Sequence, residues 1–552
     1  MAQFPLIDQA SLVMIPGAYK EGKIYSQLPT DGSGDFTYTR GTDTATRVNE
    51  NGLIEKGYEN TLLQSNNWAQ SDSQYEITGG EAGYDGTNDA WLVNKLAAAY
   101  FSKDALVLTG VMTISFYAKA GSLDRIFVFI GGDAARFDLT NGTAVSAGGN
   151  PVSQNIELVS GTTDWYRCSI VLNKTSTQNL LIKPQNSSNQ DVTGTIYIQD
   201  AQLNQGLVAY PYLETTTVPV YAGLTDNMPR LDYSGGASCP ALLLEPQRTN
   251  LDTQSEYIAG WNTASNVTRT ANYEESPEGV NNATRLEFTA NGYTYNGSSP
   301  SQVNGSTYTM SCYAKRNDSG TQDFGFFRDG SGTPDSVMAL TSEWQRFEYT
   351  YTAGNTSRFG LAGKSGADVS VYGFQIEKDA SYATSYIPTY GSAVTRNNDT
   401  SLVAGVSDII GQTEGTLYFE AAVIGVPTDT QRLISLSNGT TNESIQIQVS
   451  GGSDKLAYVV LEGGVQQMVF TSVDITLGTT FKTAIAYAEN DFAVYLNGTL
   501  VGTDNSGNVP VDMDKIVYGR GNETQFCEGE IKQTMIFKTR LLNEELAALT
   551  TI

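Results

Sequence analysis

The stretch Leu242–Trp261, LLLEPQRTNLDTQSEYIAGW, decides how this chain is read, because a shorter echo of it stands at Tyr58–Trp68, YENTLLQSNNW. The same landmarks follow each copy in the same order. After the first come FYAKAG (Phe116–Gly121), DWYRCSI (Asp164–Ile170), YIQDAQL (Tyr197–Leu203) and YPYLETT (Tyr210–Thr216). After the second, at nearly matched spacing, come CYAKRN (Cys312–Asn317), EWQRFEY (Glu343–Tyr349), YGFQIEK (Tyr372–Lys378) and SYIPT (Ser385–Thr389). Ordered landmarks at matched spacing are what a duplicated domain leaves behind. Each copy is too long for a solenoid repeat and long enough to bury its own core.

Working outward, the two copies span residues 57–217 and 242–389. Pro- and Gly-bearing links follow them at 218–241 and 390–407, and a domain of different pattern fills 408–552. Within the first copy, Ala105–Ala120, Arg125–Gly132 and Trp165–Leu172 are short β-branched and aromatic runs broken by turns, the pattern of a sandwich or jelly roll. TIYIQDAQL (Thr195–Leu203) is the exception, since neither of its alternating faces is cleanly apolar. In the last domain, Thr416–Val423, Arg432–Gly439, Ser444–Gly452 and Lys455–Gly464 read as consecutive strands, and Phe481–Gly502 as hairpins turning at AEND and Asn497-Gly498. The one helix expected is Asn543–Leu549, with Asn543 as its N-cap. Residues 1–56, poor in apolar side chains, are expected to be an extended arm, ordered by lying against a partner. The fold class is therefore all-β, with tandem β-sandwich modules of jelly-roll type behind an N-terminal arm.

Composition narrows the function. A length of 552 residues exceeds one core, and 55 glycines with 31 tyrosines suit a turn-rich β protein. The formal charge of −26 argues against nucleic acid or an anionic membrane as partner. No histidine occurs, which removes Ser-His-Asp and Cys-His catalysis and His-ligated zinc together. Cys168, Cys239, Cys312 and Cys527 are dispersed without a CxxC, and buried free thiols are expected in place of a disulfide framework. The N-terminal residues lack a basic n-region, and no run approaches the roughly 18 apolar residues of a membrane helix. The expectation is a protein that is neither exported by a standard signal nor inserted in a bilayer, but assembled into a particle in a cytoplasm.

Among candidate sites, Tyr293 and Tyr295 in NGYTYNGSSP (Asn291–Pro300) stand out. Alternate tyrosines project to one side of a strand, and aromatic faces beside amides and hydroxyls suit a carbohydrate. Ordinary sheet-surface tyrosines are the competing reading. Trp165-Tyr-Arg167 and Trp344-Gln-Arg346 sit at equivalent places in the two copies, as do Tyr117-Ala-Lys119 and Tyr313-Ala-Lys315. Recurrence in both copies favours a packing role over sugar stacking, and Trp91 is read the same way. The acidic runs Asp85–Asp89 and Asp329–Asp335 could supply oxygens to a structural Ca²⁺ but lack EF-hand spacing. Solvated turns are the plainer reading, so the metal assignment is unknown and no other cofactor is expected. No pair of carboxylates is singled out for glycan cleavage, and no enzyme is expected.

The segment running from ASLVMIPGAYKEGKIYSQLPTDGSGDFTYTR to ATRVNENGLIE, together with PRLDYSGGASCPALLLEPQRTNL (Pro229–Leu251), resembles the linking segments of bacteriophage tail-fibre and other virion structural proteins. The copy ending in YGFQIEKDASYATSYIPT resembles carbohydrate-binding-module-like jelly rolls. AVYLNGTLVG (Ala493–Gly502) followed by GEIKQTMIFKTRLLNEELAAL (Gly529–Leu549) is similar to the closing strands and short helix of a laminin-G or concanavalin-like sandwich. The resemblance implies a tail-fibre or appendage protein of a virion, homotrimeric, joined through its N-terminal arm to other virion proteins and adhering to a host surface glycan. Its alternatives are a head fibre or capsid decoration with a structural role, and a glycan depolymerase.

Overall fold

Two long strands dominate the first repeat of the computed structural model, which describes residues 4–70, 72–328, 332–354 and 358–552. Phe101–Ala120 and Trp165–Gln185 pair antiparallel along almost their whole length. Gly194–Gln205, Ala90–Lys95 and Tyr75–Glu81 continue the sheet on one side. Arg125–Ile130, Asp133–Asp138 and Thr143–Gly148 continue it on the other. The sheet folds over on itself. Phe116 packs edge-on to Phe137 at 6.1 Å although the two strands are not neighbours, so the rings meet across the two layers of a sandwich. The second repeat does the same with Ala283–Tyr295, whose first half pairs with Asp368–Lys378 and whose second half pairs with Gly360–Gly363. Phe326 then reaches Phe374 across its layers at 6.4 Å.

The ambiguous run Thr195–Leu203 resolves into a β-bulge. The register against Phe101–Ala120 shifts between Gln199 and Ala201, and Asp200 takes φ +44°. One extra residue resets the alternation, so Ile196, Ile198, Ala201 and Leu203 all enter one core. The second repeat places Gly373, at φ +65°, at its own break, and Val369, Val371, Phe374 and Ile376 share the core there.

Asn60 and Asn250 explain the motif shared by the two copies. Asn250 Nδ2 donates to the Phe374 and Ile387 carbonyls, and its Oδ1 accepts the Asp252 and Ile376 amides. Asn60 repeats this with Ala201, Leu213, Leu62 and Leu203. A buried amide with its donors and acceptors used in this way fixes the returning chain to the bulged strand. The tryptophans that close each copy, Trp68 and Trp261, are core residues 1% exposed.

The C-terminal unit is a two-sheet sandwich, and here the expectation of a separate N-terminal arm gives way. Leu12–Met14 and Ala241–Leu244 both pair with Gly529–Phe537. Lys23–Ile24 and Phe36–Thr39 extend the opposite sheet from Thr400–Ala404. Leu12, Met14, Ile24, Phe36, Tyr38, Leu242 and Leu244 lie in the same core as Ile434, Ile447 and Phe481. The apolar residues of 1–56 are few, but their burial partners lie hundreds of residues away, which local composition does not reveal. Strand Ile54–Asn60 also crosses the expected limit at 56/57 and pairs with Thr46–Val48 and Val220–Gly223.

Two buried ion clusters tie these segments together. Arg230, fully buried, contacts Glu245 at 2.5 Å and Asp399. Arg396 reaches the same Glu245 at 2.7 Å, and Tyr38 donates to Asp399. The two guanidiniums more than offset burial and hold the Glu245 carboxyl well below the usual range. In the second cluster Lys56 meets Glu256, and Glu278 at 3.0 Å, beneath the hydroxyls of Tyr210, Tyr372 and Tyr390.

The helix forms at Asn543–Thr550, but Asn543 is not its cap. Leu542 is, with its amide held by Glu545 Oε2 at 2.8 Å, while Asn543 Oδ1 accepts from Arg540. The hairpin over Phe481–Ala488, Asp491–Leu496 and Thr499–Asp504 turns at Asn497-Gly498, with φ +49° and +78°. Both angles suit a primed turn. All four cysteines are free, and only Cys239 is exposed.

Candidate functional site

Tyr293 and Tyr295 lie on the outer face of the second repeat, because Thr294 between them is fully buried. They do not stand alone. Phe327, from the strand Phe324–Phe327, stacks on Tyr293 with ring centroids 4.9 Å apart and planes within 7°. Tyr295 lies 6.4 Å from the same ring, and the two tyrosines are 6.0 Å apart. The stack is possible because Gly360 separates Tyr295 from Phe327 in the sheet register. A Cβ on Gly360 would press on Tyr295 Cβ at 2.7 Å and Phe327 Cδ1 at 3.2 Å. Phe327 was not legible as a site residue. The alternation in FGFF sends Phe324 and Phe326 into the core and Phe327 to the opposite face of the sheet, where it is fully buried and backs the tyrosines from beneath.

Tyr295 also forms one wall of an open cleft of about 530 Å³, bordered by Asn262, Asn296, Gln302 and Arg358. Asn262 accepts the Gly297 amide, and Asn296 donates to Asp252 and Thr253 from beneath. Burial pushes the Asp252 carboxyl up to about 7, and its Oδ2 has no hydrogen-bond partner among the described residues. An aromatic wall beside amide groups offers stacking to the C–H face of a sugar ring and hydrogen bonds to its hydroxyls.

The recurrent Trp and Arg residues have structural partners. Arg167 reaches Ser115 Oγ and the Tyr210 carbonyl, lying over the Tyr117 ring at 5.3 Å. Arg346 reaches Ser311 Oγ and the Thr384 carbonyl, over Tyr313 at 5.6 Å. Lys119 and Lys315 lie over Trp165 and Trp344, each at 5.4 Å. These groups clamp the returning chain in both copies. Trp91 packs flat on Gly79 and donates to the Asn66 carbonyl.

The acidic run Asp85–Asp89 is engaged within the protein, with Gln199 donating to both aspartates and Thr87 to Asp85. Next to it, Tyr84 stacks on Tyr117 at 3.7 Å and donates to Asp200, whose carboxyl burial raises to about 6. The run Asp329–Asp335 begins outside the described residues, and its Asp335 accepts the Arg328 amide. Among the described residues no group of three or more His, Cys, Asp or Glu side chains is arranged to hold a metal ion.

With this geometry in hand, the chain can be set beside known proteins. Residues 395–547 match the family model of the concanavalin A-like lectin/glucanases superfamily. No curated protein matches the sequence. Among solved structures, the chain is similar to the CBM40 domain of the Ruminococcus gnavus IT-sialidase bound to α2,3-sialyllactose, at 16% identity and TM-score 0.23, covering 26% of this chain and 84% of that one. It is similar to domain 4 of AbnA, a GH43 extracellular arabinanase from Geobacillus stearothermophilus in complex with arabinotriose, at 13% identity and TM-score 0.24, covering 28% and 73%. A heptameric SAP-like pentraxin from Limulus polyphemus is similar at 15% identity and TM-score 0.21, covering 25% and 69%.

Proposed function

We propose that this chain is a non-catalytic adhesion protein of a bacteriophage virion, a tail fibre or comparable appendage that holds a host-surface glycan through β-sandwich modules. The observation that carries the glycan reading is the match of residues 395–547 to a lectin and glucanase superfamily. The aromatic stack and amide-lined cleft of the second repeat supply chemistry suited to a sugar. The virion reading rests on the resemblance of the linking segments to those of phage structural proteins. The observed packing adds a mechanical argument. One buried ion cluster knits the links at 218–241 and 390–407 to the second repeat at Glu245 and, through Tyr38, to the C-terminal sandwich, a packing suited to transmit load. Each site acts weakly, and repetition on a particle supplies avidity. A trimer would repeat each site three-fold.

Immunoelectron microscopy of purified virions, with an antibody against residues 408–552, tests this reading. Label at the tail tip or baseplate is the expected result. Label spread over the capsid would assign a decoration role instead, and no label on particles would refute the virion reading.

A further inference from the structure

The outer face of the first repeat carries a surface of different chemistry at the place matching Tyr293. In the first repeat Phe101 opposes Ile182, while Phe127 opposes Lys183 on one side and Arg136 on the other. In the second repeat Thr294 opposes Leu361, and Gly325 opposes Ala362. Aligning these registers puts Tyr100 where Tyr293 stands. Lys183 and Phe127 then take the places of Ala362 and Gly325. At these matched sheet positions the second repeat carries Tyr293, Ala362 and Gly325, and the first carries Tyr100, Lys183 and Phe127.

The details bear this out. Lys183 Nζ sits 4.1 Å from the Tyr100 ring centre, and Tyr100 is 37% exposed. The Arg136 guanidinium lies over Phe127 at 5.5 Å, and the Tyr100 and Phe127 rings are 6.3 Å apart. Buried Lys95 and the surface cations Lys183, Arg125 and Arg136 gather at this end of the sheet, with Asp191, Asp138 and Asp124 as the nearby carboxylates. Lys95 and Lys183 share Asp191, and Arg125 pairs with Asp138 at 3.1 Å. Arg136 donates from Nε to Gln185 Oε1 at 3.2 Å, and among the described residues its two terminal nitrogens are left for a ligand. Burial above all, with the neighbouring Lys183 ammonium, pushes Lys95 down to about 8. Such a cluster is unusual on a chain of formal charge −26.

We infer that this face binds an acidic saccharide, with a sugar ring against Tyr100 and Phe127 and its carboxylate or sulfate on Arg136 and Lys183. A guanidinium suits a planar oxyanion through paired N–H donors. The aromatic rings take the C–H face. A nucleic acid would meet the same cations but would be repelled by the acidic remainder. The inference rests on the glycan-binding reading above and adds the charge class of one ligand. The chain then carries two different specificities on equivalent faces, one for a neutral sugar and one for an acidic sugar.

The test uses the full chain on an array of uronate-bearing, sialylated, sulfated and neutral oligosaccharides, compared with Arg136→Gln, Arg136→Gln/Lys183→Gln and Tyr295→Ala. The expected result is retention of at least one acidic saccharide, weakened ten-fold or more in both charge variants, reduced by added salt and unchanged in Tyr295→Ala. Arg136 is half-buried at the surface, so its single variant should keep the parental melting temperature even if the double variant does not. Retention of neutral glycans without any acidic one overturns this inference and leaves the general reading standing. Acidic binding that survives Arg136→Gln at full strength overturns the site. Retention of no glycan at all overturns both.

Discussion

Replacing Lys56 by methionine perturbs the junction of the two repeats at its centre. Lys56 is 5% exposed and Glu256 1% exposed, and the lysine is the cation both for Glu256 and for Glu278. Removing one partner of a buried ion pair typically costs about 3–5 kcal/mol, because the remaining charge is left without compensation. Here two carboxylates remain, partly relieved by the hydroxyls of Tyr210, Tyr372 and Tyr390, so about 3 kcal/mol at pH 8 is the expected loss. The effect must depend on pH. Burial already raises Glu256 above the ordinary carboxyl value despite Lys56. A carboxyl with a raised folded-state pKa holds its proton longer in the folded form, so stability falls as pH rises through that window. Without Lys56 the window extends upward. The variant should therefore recover part of its deficit on going from pH 8 to pH 5. Hydrogen exchange of the amides of Ile54–Asn60 reports this junction without assuming that the whole chain unfolds in one step. A loss below about 1 kcal/mol with no pH dependence would refute the assignment of Lys56 as the keystone of this junction.

Further outcomes follow from the same structure. Asp252→Asn should match the parent near pH 4 and exceed it in stability at pH 8, because the parent's buried carboxyl must ionise there; equal urea profiles at both pH values would contradict this. Gly110→Ala should weaken docking of the 390–407 link by about 2 kcal/mol or more. Its φ is +132°, and a Cβ would fall on the Tyr390 carbonyl oxygen, so faster proteolysis at this link is the readout. Thiol titration of the native chain should detect Cys239 alone, and all four cysteines only after denaturation. Tyr295→Ala should weaken binding of neutral glycans at the second repeat without changing the melting temperature by more than a few degrees, since the ring is half-buried at the surface.

Much of the fold was legible because it is local or repeated. Alternating runs gave the strands, Asn497-Gly498 gave a primed turn, and the Asn60 and Asn250 motifs gave the duplication. What escaped depends on distance or on one inserted residue. Leu12, Ile24 and Phe36 looked like a sparse arm because their burial partners lie in the C-terminal sandwich. The bulge at Asp200 hid a core strand behind an ambiguous pattern. Asn543 was a plausible cap, but Glu545 reaching back to the Leu542 amide set the helix start one residue earlier. At the candidate site Tyr293 and Tyr295 were visible as an alternating pair. Phe327 and the cationic face around Arg136 were not, since each is assembled by strand pairing between segments far apart in the chain.

The central claim is that these sandwiches hold glycans weakly and gain strength by repetition. It is tested most directly by applying the full chain, displayed singly and on beads at high copy number, to surfaces printed with glycans at graded density. The account predicts retention of beads that rises steeply with glycan density, and little retention of the single chain. Beads that pass over every glycan surface at every density would contradict it.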